Sequence, residues 1–215
     1  VRVFGFGQLT GIDLAGEVEG IARPPSAWSG TTMSSLPIGQ EITSTAVQLA
    51  CAVSVIANGG VLVKPWVIRE IRDENGETIA SFSPKVTRRV ISEETAEKMR
   101  RLLKGVIENG TGTLARLDSY TAAGKTGTAQ KIEPTGVYSH SKFTASFIGF
   151  APANDPKIAI VVCADEPHPL YFGGVVSAPV FKKVAEDTLR YMGVTADVKK
   201  KIPVKLVLDV KAQQD

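Results

Sequence analysis

The sequence predicts an α/β (α+β) domain in which an antiparallel sheet is combined with helices. Its 215 residues fit one ordinary domain, and 43% apolar with 22% charged residues is a balance that supports a buried core. Segments with helical periodicity are separated by segments in which apolar and polar residues alternate. A short link at 152–156, Pro-Ala-Asn-Asp-Pro, joins two strand-like segments and therefore favours an antiparallel hairpin.

The first forty residues are rich in Gly, Pro, Ser and Thr, and they predict loops with short elements. A helix is predicted over 43–58, where Thr43 or Ser44 can cap its start and Asn58-Gly59-Gly60 can end it. Its body, LACAVSVIA, is apolar on nearly every side. We therefore expect this helix to be deeply buried.

The next region, 61–82, alternates apolar and polar residues and contains a strong hairpin signal at Glu74-Asn75-Gly76, because Asn-Gly tolerates positive φ at both turn positions. Ser92 then caps an amphipathic helix that Asn109-Gly110 ends. The positions expected on its buried face are Ala96, Met99, Leu102, Leu103, Val106 and Ile107.

The second half of the chain contains three strand-like segments, Ala122–Ile132, Phe143–Ala151 and Lys157–Ala164. A last helix is predicted over Ala178–Met192, with Pro179 in its first turn and Gly193 after its end. The residues that follow contain three consecutive lysines. They predict a tail or linker over 194–215, outside a domain that spans residues 1–193.

Composition disfavours several classes of protein. A net charge of +3 is small for a dedicated nucleic-acid binder, and no uncharged apolar run reaches the roughly 18 residues of a membrane-spanning helix. The chain has two cysteines and two histidines, which leaves little room for a structural zinc site. Cys51 and Cys163 both lie in apolar stretches, so we expect buried thiols; a disulfide cannot be inferred from two cysteines alone.

The segment Gly124-Lys125-Thr126-Gly127-Thr128 gives the sharpest signal for chemistry, and three interpretations compete. A phosphate-binding loop would need a glycine where Ser119 stands and a helix after the lysine, whereas the following residues predict a strand. The lysine and threonines could also simply lie on the exposed face of a strand. The third interpretation is the Lys-Thr-Gly element of penicillin-recognising serine acyl-transferases.

The third interpretation gives each of these residues a chemical role. The ammonium of Lys125 would make the site electropositive, and the hydroxyls of Thr126 and Thr128 would hold a substrate carboxylate. Gly127 would let a ligand backbone approach the strand closely. The backbone N–H of Thr128 would donate to a developing oxyanion.

Longer blocks of sequence support the same interpretation. In chain order they are FGFGQLTGIDLAGE, IGQEITSTAVQLACAVSVIANGG, ENGTGTLA, AAGKTGTAQK, FTASFIGFAPANDPKIAIVV and GGVVSAPVFKKVAEDTLRYMG. Over residues 1–193 the chain resembles the C-terminal part of the transpeptidase domain of class B penicillin-binding proteins, the cell-division and spore-cortex type.

The resemblance implies a fold, an activity and a location. The fold would be that of penicillin-binding proteins and serine β-lactamases, with five antiparallel strands and helices on both faces. The activity would be D,D-transpeptidation of D-Ala-D-Ala stem peptides of peptidoglycan through a serine ester, blocked covalently by β-lactams. No metal, organic cofactor or nucleic-acid partner is implied. The intact protein would lie on the extracytoplasmic face of the cell membrane, with its anchor outside this chain.

The resemblance also implies a Ser-x-x-Lys motif, which carries the nucleophilic serine, and a Ser-x-Asn motif, both located before the blocks found in this sequence. Ser-x-x-Lys occurs once, at Ser139-His140-Ser141-Lys142, in a polar loop after the Lys-Thr-Gly strand, and we do not expect Ser139 to be the nucleophile. Ser-x-Asn does not occur. The chain begins VRVFGFGQ without Met, so we expect a piece of a longer protein. Its partner would be the N-terminal half of the domain, and the isolated chain is predicted to be inactive.

Three further segments have weaker functional signals. The loop Glu133–Lys142, with Tyr138 and Ser139, is either a substrate contact or an ordinary solvated hairpin loop. We predict a structural role for Tyr171-Phe172-Gly173-Gly174, and a helix stop and turn for Gly110-Thr111-Gly112-Thr113. An alternative function for the whole chain is a peptide or β-lactam binding module that performs no chemistry.

Overall fold

Helices and antiparallel strands alternate along the residues, 1–198, that the computed structural model describes. The helices are α1 (Thr32–Ser35), α2 (Ala46–Ala57), α3 (Glu93–Asn109), α4 (Gly173–Val176) and α5 (Ala178–Tyr191). The strands are β1 (Ile21–Ala22), β2 (Ile42–Thr43), β3 (Val61–Lys64), β4 (Glu70–Arg72), β5 (Thr78–Ser81), β6 (Lys85–Arg89), β7 (Ala123–Ile132), β8 (Tyr138–Ala151) and β9 (Ile158–Asp165).

The main sheet has the order β7-β8-β9, and both of its strand pairs are antiparallel. Three shorter antiparallel pairs, β1–β2, β3–β6 and β4–β5, lie outside it. The predicted Asn75-Gly76 hairpin is confirmed as the β4–β5 turn, although only Gly76 of this pair has a positive φ, at 83°. Within residues 1–198 the main sheet thus has three of the five strands that the resemblance implies.

Helices cover both faces of the main sheet, as the resemblance implies. Phe147 and Phe150 are both fully buried on β8, and their spacing places them on opposite faces. Phe147 packs against Phe181 of α5, with ring centroids 4.7 Å apart. Phe150 belongs to a second cluster with Val53 of α2. The mixed α/β fold and its antiparallel sheet are therefore confirmed.

Helix α2 begins later than the sequence predicted. Thr43 belongs to β2, and the cap is Thr45, whose hydroxyl accepts a hydrogen bond from the Gln48 N–H at 3.1 Å. The Thr45 N–H donates in return to the Gln48 side chain at 3.0 Å, which completes a capping box. Of the helix residues, only Gln48, Val53 and Val55 are fully buried, so the expectation of a deeply buried helix was too strong.

The predicted cap and end of helix α3 are confirmed, but not every residue predicted on its buried face is buried. The Ser92 hydroxyl accepts a hydrogen bond from the Thr95 N–H at 3.1 Å, and Gly110 follows the last helical residue. Ala96 and Ile107 are buried, whereas Leu102 is 66% exposed. Successive helix residues are rotated by about 100°, so Leu102 points toward the surface when Leu103 packs on the core.

Strand β8 begins at Tyr138, five residues before the predicted start, because Tyr138 still pairs with Ile132 of β7. The predicted strands at 122–132 and 157–164 agree with β7 and β9 to within one residue at each end. The last predicted helix is α5, and Gly193 after it has a φ of 67°. Cys51 is half-buried, but Cys163 is exposed, so the expectation of a buried Cys163 was wrong.

Two carboxylates fix the segment that leads into β7. Glu186 of α5 accepts hydrogen bonds from the backbone N–H groups of Asp118 and Ser119. Asp197 accepts from the Thr121 N–H at 2.6 Å and from the Thr121 hydroxyl at 2.5 Å. The first residues of the predicted tail, 194–198, therefore contact the domain, and residues 199–215 of that prediction lie outside the described part of the chain. Among residues 1–198, no helix is long and apolar enough to cross a membrane.

Candidate functional site

The Lys-Thr-Gly residues lie in the first half of β7, which is an edge strand of the described sheet. Lys125 is paired with Ile148 of β8, and Thr128 with Ala145. A strand therefore follows the lysine, and the phosphate-loop interpretation, which needs a helix there, is excluded. The second edge of β7 has no strand partner within residues 1–198, so its backbone is available to an extended ligand.

The Lys125 side chain is exposed and turns back along its own strand. Its ammonium donates to the Thr126 carbonyl oxygen at 3.0 Å and to the Thr126 hydroxyl at 3.2 Å. Other lysines, such as Lys98 and Lys131, form ion pairs, but no carboxylate in the described part of the chain pairs with Lys125. Its positive charge thus lies beside the Thr126 hydroxyl, with no carboxylate partner among the described residues.

Thr126 and Thr128 are each held by a residue from another element. The Thr126 hydroxyl lies 2.8 Å from the hydroxyl of Thr111, in the turn after α3. The Thr128 hydroxyl accepts a hydrogen bond from the Gly173 N–H, at the start of α4, at 3.2 Å. A row of three hydroxyls beside one ammonium can donate several charge-assisted hydrogen bonds to a carboxylate.

Glycines allow the close packing around this row of hydroxyls. A Cβ atom on Gly127 would collide with the hydroxyl of Ser146 on β8. A Cβ on Gly173 would collide with the carbonyl oxygens of Gly127 and Ser146, and one on Gly174 would lie 2.6 Å from the Thr111 carbonyl oxygen. The turn before α5 can therefore approach β7 only because residues 173 and 174 have no side chains.

An aromatic cluster lies next to the threonine row. Phe143 of β8 stacks on Tyr171, with ring centroids 4.2 Å apart and planes 12° from parallel. Tyr171 in turn contacts Phe172 at 4.5 Å. Phe172 is 54% exposed and directly precedes Gly173, whose N–H binds Thr128. The predicted packing role thus fits Tyr171 and the glycines, while Phe172 adds an exposed apolar ring to the border of the site.

The hairpin between β7 and β8 uses its polar side chains internally. Ser139 is 3% exposed, and its hydroxyl accepts hydrogen bonds from the backbone N–H groups of Ser141 and Lys142. The Ser139 side chain is thus buried within the hairpin, and a contact between this loop and substrate stays a prediction. The Lys142 ammonium lies 3.3 Å from the Glu133 carboxylate, and among the described residues only the backbone N–H of Lys142, not its ammonium, binds the Ser139 hydroxyl. The assignment of the nucleophile to a serine outside this chain stays a prediction.

Tyr138 is half-buried, and its hydroxyl accepts a hydrogen bond from the backbone N–H of Glu41 at 3.1 Å. The Glu133 carboxylate stabilises the same hairpin, and hydrogen bonds from Ser139 and Lys142 hold its pKa below the usual value. Sequence reasoning did not connect Thr111 or Glu41 with the site. Thr111 lies in the Gly-Thr-Gly-Thr segment, for which the sequence predicts a turn. The two hydroxyls of that segment are the only local sign that it could also contribute to a polar site.

Comparison with known proteins agrees with this geometry. The family model for the penicillin binding protein transpeptidase domain matches residues 1–186. The stage V sporulation protein D of Bacillus subtilis is 40% identical over 196 residues, which are 90% of this chain and 30% of that protein. A probable peptidoglycan D,D-transpeptidase, PbpC of Pseudomonas aeruginosa, is 32% identical over 195 residues, 90% of this chain and 32% of that protein. The chain thus spans about a third of the length of these relatives.

Solved structures show the same fold. Penicillin-binding protein 3 of Mycobacterium tuberculosis in complex with ampicillin superposes with a TM-score of 0.84 at 35% identity, covering 94% of this chain and 47% of that one. The same protein in complex with aztreonam gives a TM-score of 0.83, also at 35% identity, covering 92% of this chain and 46% of that one. The similarity therefore covers more than nine tenths of this chain.

Proposed function

Because the chain belongs to the penicillin-binding protein transpeptidase family, we propose that it supplies the Lys-Thr-Gly side of the active site of a peptidoglycan D,D-transpeptidase. The observation that carries this proposal is the row of Thr111, Thr126 and Thr128 hydroxyls beside the exposed Lys125 ammonium, on an edge strand. A relative carries the name of a probable peptidoglycan D,D-transpeptidase, which agrees with this activity.

The proposed reaction has two acyl-transfer steps. A serine hydroxyl attacks the carbonyl carbon between the two D-Ala residues of a stem peptide, the peptide C–N bond breaks, and the terminal D-Ala leaves with the serine proton. An amine of a neighbouring stem peptide then attacks the serine ester, and the serine regains its proton. The nucleophilic serine belongs to a Ser-x-x-Lys motif that would come from the N-terminal half of the domain.

Residues of this chain bind and polarise the substrate in both steps. The hydroxyls of Thr126 and Thr128 bind the terminal carboxylate, and the Lys125 ammonium provides the electrostatic attraction and assists proton transfer. Gly127 allows the substrate backbone to lie along β7 as an added strand. The Thr128 N–H donates to the oxyanion of the tetrahedral intermediate. β-Lactams would occupy the same position; the similar Mycobacterium tuberculosis protein has been solved in complex with ampicillin and with aztreonam.

The location and partners of the protein follow from this activity. Stem peptides are found outside the cytoplasmic membrane, so the active site would face that side, with the membrane anchor outside this chain. The first two strands of the family sheet, in the N-terminal half, would pair with the outer edge of β9. The alternative function, a binding module without chemistry, predicts reversible β-lactam binding that does not survive denaturation.

The test uses full-length protein, or this chain reconstituted with its N-terminal half, and a fluorescent penicillin. Lys125→Ala should slow second-order acylation by on the order of a hundredfold or more, because both a charge-assisted hydrogen bond and the field at the site are lost. Thr128→Ala should slow it by about tenfold or less, because its main-chain N–H remains. Lys98→Ala, on the surface of α3, serves as the matched control and should acylate normally.

The result that contradicts the proposal is near-normal acylation of a folded Lys125→Ala protein, with folding judged by its melting temperature. Label that is lost on denaturation of the wild-type protein would favour the binding module. The isolated chain, which has no Ser-x-x-Lys motif apart from the buried Ser139, should give no denaturation-resistant adduct. An adduct that maps to any serine of this chain would overturn the assignment of the nucleophile to the other half.

A further inference from the structure

Glu41 has an unusual backbone conformation. Its φ is 60°, in the left-handed region that non-glycine residues seldom adopt, and it lies two residues after Gly39, whose φ is 89°. Such a conformation persists only where surrounding contacts impose it, and conformations of this kind concentrate at functional sites. The residues that contact Glu41 should therefore explain what holds it in this conformation.

The carboxylate of Glu41 is bound by two hydroxyls of the preceding helical turn. The Thr32 hydroxyl donates to one carboxylate oxygen at 2.6 Å, and the Ser35 hydroxyl donates to the other. Thr32 is only 2% exposed, so this anchor is part of the packed interior. The two hydrogen bonds hold the pKa of the Glu41 carboxyl below its usual value, so the group is ionised at neutral pH.

The left-handed conformation directs the Glu41 N–H at the hairpin that follows the Lys-Thr-Gly residues. This N–H donates to the hydroxyl of Tyr138, 97 residues further along the chain. Tyr138 is paired with Ile132 at the end of β7, and the carbonyl oxygen of the next residue, Ser139, accepts from the Gln130 side chain at 2.9 Å. Gln130 is only two residues from Thr128, so the contact at Tyr138 is connected to the threonine row through one strand.

We propose that Glu41 is a positioning residue, which fixes the β7–β8 hairpin beside the Lys-Thr-Gly residues through its hydrogen bond to Tyr138. The effect on acylation rests on the proposed function, whereas the effect on the hairpin does not. Glu41 does not touch the reacting atoms. Its carboxylate holds the 39–41 turn, the turn directs the N–H, and the N–H fixes the hydroxyl of Tyr138. The hairpin continues the strand that holds Lys125, Thr126 and Thr128, so its position controls how well a substrate or β-lactam binds along that strand before the chemical step.

The test compares Glu41→Gln, Glu41→Gly, Tyr138→Phe and the double variant Glu41→Gly/Tyr138→Phe in the full-length protein. Glu41→Gly tolerates the positive φ but removes the anchor, whereas Glu41→Gln keeps an acceptor of similar length. Glu17→Gln is the matched control, since Glu17 also accepts hydrogen bonds from a threonine hydroxyl and from backbone N–H groups but lies in a different loop. Hydrogen exchange of the hairpin amides and acylation by ampicillin, separated into binding and chemical steps, are measured for each.

Hydrogen exchange of the hairpin amides should accelerate about two- to tenfold in Glu41→Gly and in Tyr138→Phe, because each variant loses the hydrogen bond between residues 41 and 138. One such amide is the Gly136 N–H, which donates to the Glu133 carbonyl oxygen. The double variant should be no faster than either single variant, because both changes remove the same contact. The hairpin exchange rates of Glu41→Gln and Glu17→Gln should remain close to those of the wild-type protein. In acylation, the dissociation constant of the initial complex should rise by a similar factor, with the chemical step unchanged.

The proposal is overturned if the accelerations of hairpin exchange in Glu41→Gly and Tyr138→Phe multiply in the double variant. It is also overturned if exchange accelerates equally across the whole domain. A Glu41→Gly protein that binds ampicillin with the wild-type dissociation constant would overturn it as well. A wild-type protein that is not acylated at all would instead overturn the proposed function. The exchange measurements would then decide by themselves whether Glu41 fixes the hairpin.

Discussion

The hydroxyl oxygens of Thr111 and Thr126 lie 2.8 Å apart, which joins the turn after α3 to the second residue of the Lys-Thr-Gly segment. Thr126 also receives a hydrogen bond from the Lys125 ammonium, so its hydroxyl has a neighbour on each side. Thr111 thereby limits the orientations that the Thr126 hydroxyl can adopt when it binds a carboxylate. The turn that ends α3 would consequently belong to the proposed binding site as well as to the fold.

Thr111→Val, which removes the hydroxyl and keeps the shape of the side chain, should slow acylation by penicillin about two- to tenfold, the effect of one lost neutral hydrogen bond. Thr113→Val, two residues further along in the same exposed turn, is the matched control and should leave the rate unchanged. Second-order acylation rates of both variants check this. Equal rates for Thr111→Val and wild type would show that the hydroxyl contact has no part in binding.

Gly173→Ala should destabilise the protein by about 1–3 kcal/mol, because its Cβ would overlap the carbonyl oxygens of Gly127 and Ser146. Gly105→Ala in α3 meets no atom within 4 Å and should stabilise the protein by about 0.5–1 kcal/mol, through the higher helix propensity of alanine. Denaturant unfolding of both variants measures the two free energies. The changes in the free energy of unfolding should have opposite signs in the two variants. A Gly173→Ala protein with the wild-type free energy of unfolding would contradict the close approach of α4 to β7.

Asp13 should titrate below the ordinary aspartate value of 3.8, because its carboxylate accepts hydrogen bonds from the Ile68 and Val67 N–H groups and these lower its pKa. A carboxyl with a lowered pKa in the folded state stabilises the fold above its unfolded pKa, and this contribution is lost as the pH falls through the folded pKa. The amide proton shifts of Val67 and Ile68 should therefore titrate with a midpoint below 3.8.

The titration of these two amide protons should disappear in Asp13→Asn, which serves as the control. A midpoint at or above the ordinary value in the wild-type protein would show that the two hydrogen bonds do not hold the carboxylate in solution.

The outer edge of β9 should make the isolated chain associate. Within residues 1–198 this edge has no strand partner, and the strand is the apolar run IAIVVCAD, in which Cys163 is exposed. Open apolar edges of this kind pair with other chains. We expect the chain to be stably soluble only as an oligomer or with the N-terminal half of its domain.

Light scattering of the isolated chain checks the association. Cys163→Lys should reduce it by placing a charge on the edge, whereas Thr113→Lys, far along the chain in an exposed turn, should not. A monodisperse wild-type monomer at high concentration would contradict the expectation.

The sequence was informative wherever a local pattern decides the structure. Ser92 caps α3, Asn75-Gly76 forms the hairpin turn, and the Lys-Thr-Gly residues lie on a strand, all as predicted. These features depend on neighbours within a few residues, which the sequence displays directly. The blocks that resemble class B penicillin-binding proteins then supplied the sheet and its helices, which periodicity alone would not have arranged.

Predictions failed where a contact between distant segments decided the outcome. Cys163 lies in an apolar run, yet its side chain is exposed, because burial depends on which distant segments pack on its face of β9. Ser139 looked like a loop residue, but the continued pairing of Tyr138 with Ile132 draws it into the buried part of β8. The positive φ of Glu41 depends on Thr32 and Ser35, and no pattern along the chain predicts it.

Asp197 gives the domain a boundary that differs from the end of its last helix. Its carboxylate holds both the N–H and the hydroxyl of Thr121, and that hydroxyl also accepts a hydrogen bond from the Ala153 N–H at 3.0 Å. Any junction, natural or engineered, that replaces residues 194–198 removes this acceptor, which orients the Thr121 hydroxyl that joins the start of β7 to the end of β8. A fusion that is to keep this contact therefore has to include the chain at least to Val198, where the backbone N–H still bonds to the Ser119 carbonyl oxygen.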